Sequence, residues 1–148
     1  MTRPPTPEYL GFLAAYEPRI TELSLAVRTL VLEEAPDCFE LLYDAYNAVA
    51  AGYSFTSKPS EAFIHIASYA KWVNLGFNRG SQLADPKGLL AGKGNWVRHI
   101  RMATPEDVHR PFVRKFVKEA IRKAERPATP ENGSSVVRAV YARRRRPV

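Results

Sequence analysis

The sequence predicts an α+β fold: one domain with an antiparallel sheet of about five strands and helices packed on one face. Two observations support this prediction. Apolar residues recur at helical spacing near both ends of the proposed domain, and short aromatic segments separated by glycine or proline lie between them. The 148 residues suit a single domain, which we place at residues 1–126, followed by a basic, flexible tail at residues 127–148.

Two helices are predicted before the sheet. The first begins at Thr6-Pro7-Glu8, because a capping hydroxyl there precedes a proline at the first helical position, and it extends to about residue 15. The second runs from Glu17-Pro18 to Glu34 and ends before Pro36. Its apolar side chains at helical spacing are Ile20, Leu23, Val27, Leu30 and Val31.

The strands follow in the middle of the chain. Aromatic, apolar stretches broken by Gly52 predict the first two, and residues 68–71 close a hairpin between the next two. Thr104-Pro105 then predicts a helix start, and an amphipathic helix follows from Pro111 to about Arg126. The predicted strands cover residues 39–43, 46–55, 62–67, 72–77 and 98–102.

Side chains alternate between the two faces of a strand, which divides the residues of the later strands into two sets. One set is mainly aliphatic and is predicted to pack beneath the helices. The other is aromatic and polar, which is typical of a ligand or partner site, although aromatic residues also favour strands in general. The first set is Ile64, Ile66, Val73, Leu75, Phe77, Ile100 and Met102, and the second is Phe63, His65, Trp72, Asn74, His99 and Arg101.

Residues 78–97 form a long, glycine-rich segment with no regular period. Loops of this length are uncommon in compact domains unless they are functional or disordered, and this one is too apolar for disorder. We therefore expect it to fold over one end of the sheet as a lid or a rim. Residues 88–94 lack the spacing of a nucleotide-binding Walker motif. A looser anion nest with Lys93 and Arg98, or glycines needed only for turns, are the alternatives.

The formal net charge is +7, and five arginines against one glutamate place +4 of it in residues 127–148. Such a cluster favours weak nucleic-acid binding through the tail or serves solubility alone. No apolar run is long enough to span a membrane, and prolines interrupt any signal-peptide core at the start. Together with a single cysteine, Cys38, expected to be a packing thiol, these features predict a cytoplasmic location.

His65 and His99 become neighbours on the aromatic and polar face if their strands lie close together. They would then allow acid–base chemistry or one side of a metal site, with hydrogen-bonded structural histidines as the alternative. No nucleophile–base pair and no cysteine cluster accompanies them. The sequence therefore favours binding over catalysis and predicts no cofactor.

Residues 73–100 contain VNLGF, a glycine, LADPKGLLAGKG and RHI in that order. This combination resembles the signature region of the YdhG-like, DUF1801 family of small bacterial domains, and Tyr43, Asn47 and Tyr53 are similar to the family as well. The resemblance covers about residues 8–122 and implies a compact α+β domain with an antiparallel sheet. One branch of the family is frataxin-like and linked to iron delivery, which relies on an acidic ridge. The first helices of this chain mix arginines with their acidic residues.

These observations predict a binding module for a small anionic ligand on the aromatic and polar sheet face, bordered by residues 78–97. Aromatic side chains would supply apolar walls, asparagines orienting hydrogen bonds, and basic side chains the attraction for a carboxylate or phosphate. The alternatives are a homodimer or other protein interface on the same face, frataxin-like iron handling, and nucleic-acid binding through the tail. The predicted site residues are Asn47, Tyr53, Phe63, His65, Trp72, Asn74, Lys93, Arg98 and His99.

Overall fold

The computed structural model describes residues 2–143. In this part of the chain four helices accompany one sheet of six strands, which confirms the α+β prediction. The helices are α1 (Pro7–Leu13), α2 (Pro18–Glu34), α3 (Pro105–Val108) and α4 (Pro111–Lys123). The strands are β1 (Phe39–Asp44), β2 (Val49–Ser54), β3 (Ile64–Ser68), β4 (Val73–Phe77), β5 (Arg98–Met102) and β6 (Ser135–Val140).

The strand order across the sheet is β5-β4-β3-β2-β1-β6. Neighbours among β1 to β5 are antiparallel, as predicted, whereas β6 runs parallel to β1 and makes the sheet mixed. The short turns after β1 and after β3 lie at one end of the sheet, which we call the turn end. The connection from β2 to β3 and residues 78–97 lie at the opposite end, which we call the loop end.

The core lies between the helices and one face of the sheet, which we call the helix face. Val27 of α2 and Val117 of α4 are fully buried in the same cluster as Ile66 and Leu75. All seven residues of the predicted aliphatic set are at most 8% exposed. The alternation of side chains in β3, β4 and β5 therefore assigns this face correctly.

The sixth strand lies within residues 127–148, the segment expected to be a flexible tail. Ser135–Val140 pairs along β1, and Gly133 passes so close to Cys38 that a Cβ there would lie 2.2 Å from the Cys38 carbonyl carbon. Valines favour a strand when a neighbouring edge is available, and β1 provides that edge. The composition of the segment does not indicate a strand, because the strand forms only beside β1, which is far away in sequence. Arg144 to Arg146 lie outside the described residues.

A buried ion pair joins α2 to β1 on the helix face. Nε of Arg28 donates to Oε2 of Glu40 at 2.7 Å, and both side chains are at most 3% exposed. The hydroxyls of Tyr53 and Ser135 also donate to the Glu40 carboxylate, at 2.7 and 2.6 Å. Burial, together with the charge of Glu40, raises the pKa of Tyr53 well above its ordinary value and keeps that hydroxyl a donor.

The same ion pair holds the N-terminal segment. The Arg28 guanidinium donates to the backbone oxygens of Arg3 and Pro4, at 3.0 and 3.3 Å. Arg3 in turn donates to the backbone oxygen of Cys38 at 2.7 Å. Arg28 and Glu40 therefore connect the beginning of the described chain to β1 and, through Ser135, to β6.

Residues 78–97 fold back along the outer edge of β5. Ala91 and His99 exchange two backbone hydrogen bonds of 2.8 Å, which occupies the free edge of the sheet at that point. The hydroxyl of Ser81 donates to the backbone oxygen of Asn95 at 2.7 Å and ties the start of the segment to its end. The loop is therefore a rim, one of the two roles predicted for it, and it protects an edge that could otherwise pair with another chain.

Two backbone amides in the middle of this loop bind an acidic side chain of the loop itself. The Asp85 carboxylate accepts the N–H groups of Leu89 and Leu90, at 2.8 and 2.9 Å. Gly88 and Gly92 have positive φ angles of 64° and 130°, which favour glycine. The need for positive φ angles in turns explains these two glycines. The Asp85 carboxylate occupies amides that the predicted anion nest would have offered to a ligand.

Cys38 is fully buried, and this burial raises the pKa of its thiol to about 12. A thiol with that pKa is almost entirely protonated at neutral pH, as expected for a packing residue. No helix in residues 2–143 has both the length and the apolar character needed to cross a membrane.

Candidate functional site

The face of the sheet opposite the helices, which we call the open face, has small side chains at its centre. One row of neighbouring residues crosses it in the order Tyr43, Ala50, Ala67, Asn74 and Arg101. The two central strands thus carry alanines in this row, and larger side chains stand on either side. We call this strip of the open face over β2 and β3, with its border on β4 and β5, the trough.

Trp72 and Arg101 border the trough at the turn end. The guanidinium carbon of Arg101 lies 4.0 Å from the centre of the Trp72 ring, within the range of cation–π attraction. The ring of Tyr69 stacks on Trp72 with 5.3 Å between the ring centres. Arg101 is exposed and has no carboxylate partner within residues 2–143, so its charge is available to a ligand.

Two polar atoms beside this pair are buried and have no hydrogen-bond partner within the described residues. One is the Nε1 donor of Trp72 and the other is the Oδ1 acceptor of Asn74. A buried polar group left without a partner costs about 1–3 kcal/mol. A donor and an acceptor two residues apart, on the same side of β4, would both be satisfied by a ligand that can accept and donate hydrogen bonds.

His65 and His99 lie in the next row toward the loop end, on either side of Gly76. The His65 ring lies across Gly76, since a Cβ on Gly76 would be 2.1 Å from it. Nδ1–H of His65 donates to Oδ1 of Asn78 at 2.8 Å. Burial, then the positive charge of Arg101 and that of His65, lowers the pKa of His99. The charged neighbours that act on His99 are both basic, so this part of the face is electrostatically suited to an anion.

Four of the predicted site residues come together on the open face: His65, Trp72, Asn74 and His99. Trp72 and Asn74 lie on β4 or directly before it, and the two histidines lie on its neighbours β3 and β5. The alternation of side chains is sufficient to place all four, because the strands that carry them are regular.

Tyr53 and Phe63 do not line this face. Tyr53 is fully buried on the helix face, because it alternates in phase with Ala51, and its hydroxyl is bound to Glu40. Phe63 precedes β3, is 8% exposed, and stacks on Phe55 with 4.8 Å between ring centres at the loop end. Both aromatic rings pack in the core. Of the three aromatic residues predicted to form apolar walls, only Trp72 lies on the open face.

The other three predicted residues are also away from the trough. Nη1 of Arg98 donates to two loop carbonyl oxygens, at 2.6 and 2.8 Å, and so helps to hold the loop. Lys93 is exposed on the same loop, whose amides bind Asp85. Asn47 is exposed in the turn that joins β1 to β2.

Arg101 borders the trough but is missing from the predicted set of site residues, although strand alternation already assigned it to this face. Its position beside Trp72 depends on the register of β4 and β5, in which Asn74 lies opposite Arg101. Because residues 78–97 separate the two strands, the sequence alone does not determine that register. The unpaired atoms of Trp72 and Asn74 have no sequence signal at all, because they depend on burial.

Two concave regions lie away from the trough. A cavity of about 370 Å³ opens on the helix face at the loop end, between the end of α4 and residues 60–63 and 79–83. A groove of about 670 Å³ lies between α2 and the start of α4. In this groove Arg114 is paired with Glu33 at 2.9 Å and also with Glu34, so part of the basic charge of α4 is neutralised.

Within residues 2–143, no three His, Cys, Asp or Glu side chains are grouped so that they could hold a metal ion. No protein-family model, curated protein or solved structure matches this chain. The resemblance to the YdhG-like, DUF1801 family stays a prediction from the sequence motif.

Proposed function

We propose that this protein is a binding module for a small anionic ligand, a carboxylate or a phosphate, held in the trough beside β4 and β5. The observation that carries the proposal is the position of Arg101. Its guanidinium is exposed, has no acidic partner in the described chain, and is held over Trp72 beside a buried N–H that lacks an acceptor. The guanidinium would donate to the oxygens of the ligand, and this N–H would do so once the side chains that cover it move aside.

The electrostatics of the trough support an anion over a neutral molecule. Burial, then Arg101 and His65, lower the pKa of His99, so the basic neighbours of this ring oppose its protonation and give this side of the face a positive potential. A bound anion would reduce the repulsion among these groups. Hydrogen bonds with an ionised partner are also about twice as strong as neutral ones, which favours a carboxylate or a phosphate.

The unpaired oxygen of Asn74 narrows the class of ligand further. Oδ1 of Asn74 accepts hydrogen bonds only, and it is buried without a donor. A hydroxy acid or a hydrogen phosphate ion supplies such a donor together with anionic oxygens. We therefore expect these ligands to bind more tightly than a simple carboxylate such as acetate.

Thermal unfolding in the presence of inorganic phosphate, glycolate and acetate tests the proposal. A ligand at a hundred times its dissociation constant should add about 2.7 kcal/mol to the free energy of unfolding. Arg101→Met should remove this stabilisation and leave the unliganded protein folded, because Arg101 is exposed. The matched control is Arg79→Met, since the Arg79 guanidinium carbon also lies over an indole, 5.1 Å from the Trp96 ring centre, on an exposed loop.

A stabilisation that survives Arg101→Met, or that Arg79→Met removes, would show that the anion binds elsewhere. If none of the three ligands stabilises the wild-type protein and the protein is a stable dimer in solution, the open face is better explained as a homodimer interface. In that outcome Trp72→Ala should shift the dimer toward the monomer, measured by sedimentation.

A further inference from the structure

The cavity at the loop end has the dimensions of a second, separate site. Its volume of about 370 Å³ falls within the range of small-molecule sites. It opens on the helix face, whereas the trough lies on the open face, and the two are at opposite ends of the strands. No residue that lines the cavity belongs to the trough as described above.

The floor of the cavity is apolar and already ordered. Phe63, Phe77 and Leu83 line it and are 8%, 1% and 8% exposed. The Phe63 ring stacks on Phe55, and the centres of the Phe77 and Phe116 rings are 6.0 Å apart. Because neighbouring side chains hold these rings in place, a ligand would meet a preformed surface and lose little affinity to ordering it.

The rim carries two charges of each sign: Arg79 and Lys123, and Glu61 and Glu125. No ion pair within the described residues joins any of these four side chains. Their hydrogen-bond and ring partners are neutral groups: an indole ring for Arg79, a backbone oxygen for Lys123 and a hydroxyl for Glu61. Lys123 also lies near a carboxylate, since the hydrogen bond from Arg122 and then the charge of Lys123 lower the pKa of Glu119. Charges of both signs around one opening favour a ligand that carries both.

We propose that this cavity binds a small zwitterion with an apolar side group, of the charge pattern of a free aromatic or aliphatic amino acid. The carboxylate would face Arg79 and Lys123, the ammonium group would face Glu61 and Glu125, and the side group would rest on the phenylalanine floor. A purely anionic ligand fits less well, because the two glutamates of the rim would repel it. The zwitterion site thus has a different ligand class from the anion site.

Titration of the full-length protein, labelled with ¹⁵N, with L-phenylalanine tests the zwitterion site. We expect saturable shifts of the amide resonances of Gly80, Leu83 and Ala124. N-acetylphenylalanine lacks the ammonium group and phenylalanine amide lacks the carboxylate, so each should bind at least about tenfold more weakly, as expected when one charge-assisted contact is lost. Absence of a saturable shift, or equal binding of all three compounds, would overturn the proposal.

Two variants place the site in the cavity. Ala124→Leu fills the cavity from its half-buried lining and should abolish the phenylalanine response, whereas Ala128→Leu makes the same change on an exposed segment and should leave it unchanged. If Ala124→Leu does not fold, Glu125→Gln serves instead, with the exposed Glu131→Gln as its control. Phenylalanine binding that both Ala124→Leu and Glu125→Gln retain would overturn the proposal.

Arg101→Met separates this site from the anion site. It should leave the phenylalanine response intact while it removes the response to phosphate. Loss of both responses in this variant would contradict two independent sites.

Discussion

Two polar clusters lie on opposite faces of the same sheet and differ in how completely their groups are paired. On the helix face, the Glu40 carboxylate accepts two hydrogen bonds from Arg28, one from Tyr53 and one from Ser135. On the open face, the indole N–H of Trp72 and the amide oxygen of Asn74 are buried beside Arg101 and have no partner in the described chain.

The first cluster holds the fold together, and we propose that the second binds a ligand. A buried charge is tolerable only when hydrogen bonds compensate for its lost hydration, and Glu40 has that compensation. The open-face cluster leaves its donor and acceptor unmatched, which costs stability unless a ligand supplies the contacts. Nε of Arg3, beside the Glu40 cluster, is also buried without a hydrogen-bond partner in the described residues, so the contrast concerns the Glu40 carboxylate itself and not every group on the helix face.

The largest effect should come from breaking the paired cluster. Arg28→Met leaves the Glu40 carboxylate buried without its cation, and such a change costs about 3–5 kcal/mol in the free energy of unfolding. Arg114→Met breaks an exposed pair with Glu33 and Glu34, for which about 0–1 kcal/mol is expected. Urea denaturation measures both. If the two variants lose similar stability, the buried Arg28–Glu40 pair contributes no more to the fold than the exposed pair.

A smaller effect is expected at the centre of the open face. Gly76→Ala would place its Cβ 2.1 Å from the His65 ring, so the ring must move and its bond to Asn78 is at risk. Overpacking of this kind costs about 1–3 kcal/mol. Gly94→Ala is the control, because a Cβ at Gly94 meets nothing within 4 Å. Urea denaturation should show a loss for Gly76→Ala alone; equal stabilities would mean that the His65 ring is loosely held.

The smallest effect concerns the titration of His99. Its pKa is lowered by burial, Arg101 and His65, so the folded protein binds this proton less readily than the unfolded chain, whose histidine has a pKa of about 6.5. This group therefore reduces the stability of the fold as the pH falls below that value. Arg101→Met or bound phosphate should raise the pKa of His99, as measured by NMR titration. An unchanged pKa in both cases would contradict the placement of Arg101 and of the anion.

The sequence is sufficient for those parts of the fold that depend on local chemistry. Thr6-Pro7 and Thr104-Pro105 mark helix starts where the structure has them, and the start of α2 at Pro18 is also as predicted. The two faces of β3, β4 and β5 follow from alternation alone, which is why His65, Trp72, Asn74 and His99 were assigned to one face.

The sequence is insufficient where a residue's role depends on a distant partner. Tyr53 donates its hydroxyl to Glu40, thirteen positions away, and nothing local to Tyr53 identifies that partner. Strand β6 needs β1 as its neighbour, about ninety residues earlier. Arg98 is of a residue type common in ligand sites, but its side chain binds two carbonyl oxygens of the loop. These oxygens face it only after the loop has folded, so the sequence does not indicate the contact.

The Arg28–Glu40 pair also has a consequence for how the protein opens. The ends of most domains fray independently of the core. Here the backbone of residues 3–4 and the hydroxyl of Ser135 are bound to the same two buried side chains. Detaching either end would uncover part of a buried charge, so both ends should belong to the same cooperative unit as the centre of the domain. The pair thus links the N-terminal segment to β6 without a covalent bond.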